Sequence, residues 1–139
     1  MVTSNLFPEL EQSASTSNGN GSKTKAIVNW KGLNIGIEYQ PGDFRHGRIM
    51  QISYGHIQGY IGADKDALDV YLGNKLASNR VFQIDQLKAD GSAFDEHKFM
   101  LWFNTPEEAM NAYLGQMPRQ FYGGMTEIKL TELNKYKKK

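Results

Sequence analysis

The residues best suited to chemistry are three carboxylates within six positions, Asp64, Asp66 and Asp69. In an extended chain the first two project to the same side, and a bend at Ala67 would bring Asp69 back toward them. Three like charges this close repel one another, so a compact trio is stable only with a cation among them. Such oxygen ligands favour hard divalent cations, Mg²⁺ before Ca²⁺, and the chain has no cysteine for a thiolate zinc site.

Two other interpretations of this acidic run compete with metal binding. An ordinary acidic loop in water has the same composition and stays an open alternative. An EF-hand calcium loop does not fit, because its sixth position requires glycine and here holds Asp69.

A second acidic pair, Asp90 and Asp95, flanks the tip of a predicted hairpin and is followed by His97 and Lys98. If the tip folds toward the first acidic run, five aspartates converge with a histidine and a lysine at the edge. Carboxylates that hold metals, beside cations that bind anionic oxygens, are what phosphoryl transfer to water needs.

Upstream residues add a carboxylate, a cation and a phenol to this set. Glu38 lies within an apolar strand pattern, where a glutamate either faces solvent or points into the site. Arg45 offers a guanidinium fork for phosphate oxygens. Tyr54 is either a half-buried strand tyrosine or a hydrogen-bond donor to the substrate. His46 and His56 have no ligand spacing to another histidine and are interpreted as ordinary residues.

The elements that must position these residues are mostly strands. Alternation of apolar and polar residues predicts strands over 26–30, 33–39, 48–54, 68–72, 80–87 and 98–103. Thr105 as N-cap, followed by Pro106 and Glu108, predicts a helix that Gly115 ends as a left-handed cap. A second short helix is predicted from Thr131. The pattern indicates an α+β fold, with a strongly twisted sheet or small barrel and one or two C-terminal helices.

Composition limits the classes of function. The 139 residues carry 16 Lys and Arg against 15 Asp and Glu, which gives no electrostatic argument for nucleic-acid binding. No apolar run is long enough to span a membrane and no signal peptide is recognised, so a cytoplasmic protein is expected. We expect a flexible Ser/Asn/Gly-rich tail over 1–24, a folded domain over 25–134 and a basic tail over 135–139.

The order Tyr54-Gly-x-Ile, then Asp64-x-Asp66-x-x-Asp69-Val, resembles the signature of the soluble family I inorganic pyrophosphatases. The upstream strand glutamate and the later Asp pair, five residues apart with a basic residue after it, also fit. The similarity covers roughly residues 30–130 and looks closest to a compact, phage-associated branch, with the segments 30–33 and 95–98.

The resemblance implies an OB-like, five-stranded β-barrel with helices packed on it and an active site at its mouth. It implies Mg²⁺ as cofactor, with Mn²⁺ as a substitute, and pyrophosphate as substrate. Neither a membrane nor a nucleic acid is expected as partner, and a homo-oligomer stays open. Asp64 and Asp69 would hold the activating metals, Asp95 would join them, and Asp90 with Asp95 would hold metal that arrives with the substrate.

The resemblance also implies roles for the other candidates. Asp66 would act as general base on the attacking water. Tyr54, Arg45 and either Lys98 or His97 would hold phosphate oxygens and the leaving group. Glu38 would hydrogen-bond metal-bound water at the edge of the site.

The chain departs from the family pattern at several positions. Ala67 stands where the family has proline, the second upstream glutamate has no counterpart, and Arg45 is only a loose match for the first lysine. These departures support an alternative function: a weak or inactive pyrophosphatase-like module that binds metal, nucleotide or a protein partner.

Overall fold

Alternating buried and exposed positions build one large sheet, which the computed structural model describes for residues 24–62 and 65–138. Its seven strands are β1 (Ala26–Trp30), β2 (Leu33–Tyr39), β5 (Ser53–Ile61), β6 (Ala67–Leu72), β7 (Val81–Leu87), β8 (Phe94–Leu101) and β9 (Tyr122–Ile128). Two short strands, β3 (Phe44–Arg45) and β4 (Arg48–Ile49), form a separate hairpin. The helix α1 spans Pro106–Gln116, and 3₁₀ helices span Arg119–Phe121 and Leu130–Tyr136.

The strand order is β1-β2-β5-β6-β8-β7-β9, and every neighbouring pair is antiparallel except β6 and β8. The α+β class is confirmed. The five-stranded barrel is not confirmed, because the described strands form a seven-stranded sheet with β1 and β9 at its two ends. None of the helices in the described ranges is long and apolar enough to cross a membrane.

The two faces of the sheet carry two separate apolar clusters. On the face covered by α1, the helix face, Tyr54 and Tyr71 pack with Tyr113 of the helix. On the opposite face, the far face, Trp102 packs edge-on against Trp30 and near Leu133 of the last 3₁₀ helix. Burial of each such side chain contributes about 1.5–3 kcal/mol, so both faces stabilise the strands that carry the polar residues.

Strands β2 and β5 approach closely, and glycine is required where they do. A Cβ on Gly55 would lie 1.9 Å from the carbonyl oxygen of Gly36. The imidazole of His56 occupies the space beside Gly36, where an added Cβ would lie 2.7 Å from the ring. Because Gly36 and Gly55 carry no side chains, the imidazole of His56 can lie across strands β2 and β5.

Several predicted boundaries were wrong. The strand predicted over 48–54 is broken after Ile49, and β5 then continues to Ile61. Gly115 lies inside α1, which ends at Gln116 with Met117 as an extended C-cap, so no left-handed cap forms there. Strand β9 was missed, because its glycines and weak alternation carry little strand signal.

Both ends of the chain were predicted to be tails. Apart from its last residue, the 1–24 segment lies outside the described residues, so that prediction stays open. At the other end, Lys137 forms a bridge with Tyr60, and the backbone N–H of Lys138 donates to the carbonyl of Gly59 at 2.7 Å. The described part of the basic segment therefore contacts β5.

Candidate active site

The ammonium group of Lys98 lies at the centre of a polar cluster on the helix face. Lys98 is only 4% exposed, and its Nζ donates to the hydroxyl of Tyr54 at 2.9 Å and to Oδ2 of Asp69 at 3.0 Å. Oε2 of Glu96 lies 3.5 Å from the same nitrogen. A buried ammonium is tolerated only when its protons are satisfied, and these three oxygens satisfy them.

The sheet register brings this cluster together. Val70 of β6 pairs with Phe99 of β8, so the preceding residues Asp69 and Lys98 are neighbours on the other side of the sheet. Lys98 and Glu96 are two residues apart on one strand and share a face. Tyr54 reaches the cluster from β5, where it pairs with Tyr71 of β6. Sequence spacing could not show this parallel pairing.

Arg45 covers the ring of Tyr54. It lies on the β3–β4 hairpin, and its guanidinium carbon is 3.8 Å from the ring centroid of Tyr54 and 5.7 Å from that of Tyr39. This geometry is a cation–π contact, which holds the guanidinium beside the Lys98 cluster. The structure thus places two of the predicted phosphate-binding cations, Arg45 and Lys98, against one tyrosine.

The phenols of this face stay protonated. Burial is the main cause that raises the pKa of Tyr54, and the carboxylate of Asp69 raises it further. Burial likewise raises the pKa of Tyr71 to about 12, although Arg45 opposes the shift. The raised pKa favours the neutral phenol, which suits Tyr54 as a hydrogen-bond donor.

Glu38 and His56 form a second polar pair on the helix face. Oε2 of Glu38 lies 2.6 Å from Nδ1 of His56, and both side chains are about one-fifth exposed. The register irregularity between Ile37 and Tyr39 falls at Glu38, and His56 pairs across the strands with Asp69. The prediction that His56 is an ordinary residue missed this contact, because the strand was predicted to end at Tyr54 and left His56 outside it.

A cavity of about 260 Å³ adjoins the Lys98 cluster. Asp69, Asp95 and Glu96 line it together, so the two acidic stretches of the sequence do approach one another. Burial raises the pKa of Glu96, and the nearby Asp69 and Asp95 carboxylates add to the rise, whereas Lys98 opposes it. Glu96 is therefore a part-buried carboxylate on which an ammonium and two other carboxylates act together.

The remaining acidic candidates lie further out. Asp90 is exposed at the tip of the β7–β8 hairpin, where its Oδ1 accepts from the backbone N–H of Ser92, and it does not line the cavity. Asp66 is exposed and directly precedes β6, and its carbonyl accepts from the N–H of Gly62. Asp64 lies outside the described residues.

His97 and Lys98 point to opposite faces of β8. Nδ1 of His97 lies 3.0 Å from Oδ1 of Asp85 on β7, away from Tyr54 and Asp69. Of the two residues offered for phosphate binding, Lys98 is therefore the one within the polar cluster.

The carboxylate oxygens of this site suit a hard cation, although the described side chains do not form a ready set of three ligands. No group of three or more His, Asp or Glu side chains among residues 24–62 and 65–138 is arranged to hold a metal ion. Asp69, Asp95 and Glu96 nevertheless offer only carboxylate oxygens to one cavity, and oxygen donors are what Mg²⁺ and Mn²⁺ take. The ammonium of Lys98 supplies the positive charge between two of these carboxylates.

Comparison with known proteins gives one match. The family model described as Inorganic Pyrophosphatase matches residues 14–138. No significant match is found among the curated proteins or the solved structures.

Proposed function

Because the chain belongs to the inorganic pyrophosphatase family, we propose that it hydrolyses a phosphoanhydride, with pyrophosphate as the simplest substrate, in the presence of Mg²⁺. The observation that carries this proposal is the buried Lys98 held by Asp69 and Tyr54 beside a carboxylate-lined cavity. Such a site offers cations and a phenol to phosphate oxygens and carboxylates to a metal.

The metal-binding residues in this proposal are Asp64, Asp69 and Asp95, with Glu38 and Asp90 as outer contributors. A Mg²⁺ ion held by these residues would supply an activated water and would neutralise charge on the phosphates. Asp69 is the best placed of the described candidates, because it belongs to the Lys98 cluster and also lines the cavity.

The substrate would be held by the cations of the helix face. The planar guanidinium of Arg45 matches two phosphate oxygens, and Tyr54 donates its phenolic proton to a third. Lys98 contributes a point charge where negative charge grows on the leaving phosphate. In this arrangement the positive groups would bind the phosphate, and the carboxylates of the cavity would bind the metal.

Asp66 is proposed as the general base that takes the proton of the attacking water. Its exposed position directly before β6, three residues before Asp69, leaves it in contact with solvent, from which the water must come. The carboxylate would accept the proton as the water oxygen bonds to phosphorus.

A binding module without turnover is the second candidate. It is favoured by one observation: Lys98 already neutralises Asp69, and the described residues offer no gathered set of three metal ligands. In this case the chain would bind a metal complex or nucleotide without hydrolysis.

The test is phosphate release from pyrophosphate with Mg²⁺, for the wild type, Asp69→Asn and Glu127→Gln. We expect Asp69→Asn to lose roughly 10³-fold or more in rate, because it removes both a metal ligand and the partner of Lys98. Glu127→Gln changes an exposed carboxylate that pairs with Arg80 and should stay within about twofold of the wild type. Equal and negligible release from all three, with intact circular dichroism, would favour the binding module.

A further inference from the structure

The cavity beside Asp69 lies where β6 and β8 separate. The two strands pair from Val70 and Phe99 onward, so the first residues of both strands lie ahead of the paired stretch. The cavity is lined from the helix face by Asp69 and Glu96 and from the far face by Phe99. It therefore has a carboxylate side and an apolar side.

The apolar side is a continuous run of rings. Phe94 lies 4.9 Å from His97, His97 lies 6.3 Å from Phe99, and Phe99 lies 5.4 Å from Tyr136, measured between ring centroids. All four rings line the cavity. Phe99 is fully buried and forms the support of the run, whereas Phe94 is 52% exposed.

Phe94 leaves apolar surface exposed in the folded chain. It is one of three large apolar side chains that are exposed in the described ranges, and the other two lie on the β3–β4 hairpin. Covering an exposed ring gains about 25 cal/mol for each Å² removed from water. Inorganic pyrophosphate has no apolar surface, so it would fill the carboxylate side of the cavity and leave this ring in water.

We propose that the substrate of this site is a nucleoside di- or triphosphate. The inference rests on the proposed function, and it names the substrate class of that same site. The phosphates lie with their divalent cation at Asp69 and Asp95, and the flat base stacks on Phe94, which lines the same cavity. Base stacking on an aromatic side chain contributes about 1–3 kcal/mol to binding, and pyrophosphate, which has no base, cannot gain this contribution.

The reaction is a hydrolysis that needs only water as co-reactant. The water oxygen forms a bond to the terminal phosphorus, and the bond from that phosphorus to the bridging oxygen breaks. The electron pair stays on the bridging oxygen, which leaves with the shortened nucleotide. The proton of the water goes to Asp66 and then to solvent, so the products are inorganic phosphate and a nucleotide with one phosphate fewer.

The test compares kcat/KM for ATP, UTP and pyrophosphate with Mg²⁺ in the wild type, Phe94→Ala and Phe94→Tyr. We expect Phe94→Ala to lower kcat/KM for both nucleotides by about 5- to 150-fold, from the stacking energy above, mainly through KM. Pyrophosphate hydrolysis should stay within about twofold, because it does not touch the ring. Phe94→Tyr keeps a ring and should restore the nucleotide reaction.

Failure of this inference is distinct from failure of the proposed function. Hydrolysis of pyrophosphate with no hydrolysis of, or competition by, either nucleotide would overturn the inference and leave the proposed function standing. An equal effect of Phe94→Ala on all three substrates would overturn it too. If no substrate is hydrolysed, the proposed function fails, and equilibrium dialysis of a non-hydrolysable ATP analogue with Mn²⁺ then tests nucleotide recognition by itself. Binding that is lost in Phe94→Ala supports nucleotide recognition. Absence of binding to the wild type overturns it.

Discussion

Two ion pairs in this protein join similar groups at similar distances but in different surroundings. Lys98 and Asp69 lie 3.0 Å apart with side chains 5% and 30% exposed, and Arg80 and Glu127 lie 2.8 Å apart with both near 40%. Distance alone does not separate them. The exposed pair is screened by water and adds little, whereas the buried ammonium has given up its hydration and depends on its partners.

The partners show what this dependence means for function. Arg80 makes a two-pronged contact with Glu127 and a third bond to the carbonyl of Asn104, all at the surface. Lys98 instead donates hydrogen bonds to Asp69 and Tyr54, two groups that the proposed mechanism needs. A positive charge kept at a desolvation cost, beside a cavity, is typical of a functional site more than of a stabilising device.

The largest expected effect on stability comes from Lys98→Met, which removes the buried cation and leaves Asp69 and Glu96 facing each other without it. We expect a loss of roughly 3 kcal/mol in the free energy of unfolding, at the low end for a broken buried pair because Asp69 keeps some exposure. Urea denaturation measures it. Arg80→Met is the matched control, and a similar loss in both variants would remove the distinction between the pairs.

Metal binding gives a second test of the difference between the Lys98–Asp69 pair and the Arg80–Glu127 pair. A cation that binds the folded chain alone stabilises it by about 2.7 kcal/mol at a concentration 100 times its Kd. We therefore expect Mn²⁺ to raise the Tm of the wild type and of Glu127→Gln, but not that of Asp69→Asn. An equal rise in all three proteins would show that the metal does not use the Lys98 cluster.

The sequence predicted the chemical types of this site better than its assembly. The Asp64–Asp69 spacing and the pair Asp90 and Asp95 pointed to carboxylates near a lysine, and local alternation predicted most of the strands. The parallel register of β6 with β8 depends on contacts distant in sequence, so the contact of Lys98 with Asp69 could not be derived. The Glu38–His56 pair depends on a bulge and on two glycines, which leave no hydrophobic period.

Tyr54→Phe should have a smaller effect than either change above. It removes one acceptor of a buried ammonium and no charge, so we expect a loss of about 1–2 kcal/mol in unfolding free energy. Because Arg45 still stacks on the phenyl ring, the hairpin should keep its position. Activity should fall by more than the loss of stability explains. A kcat measurement at a temperature well below the Tm tests this, and an unchanged kcat would show that Tyr54 does not contact the substrate.

The smallest effect belongs to the exposed pair and is seen through pH. The hydrogen bond and charge of Arg80 hold the pKa of Glu127 below its ordinary value of 4.5. A lowered folded-state pKa means that the pair stabilises the protein above the unfolded value, and that this contribution is lost as the pH falls through the folded one. Glu127→Gln should therefore have a slightly lower Tm than the wild type at neutral pH, and the gap should close below pH 4.5 and in high salt. A Tm difference that persists in acid and in high salt would mean that Glu127 stabilises the β7–β9 edge by packing rather than by charge. The two ion pairs would then differ in side-chain packing as well as in burial.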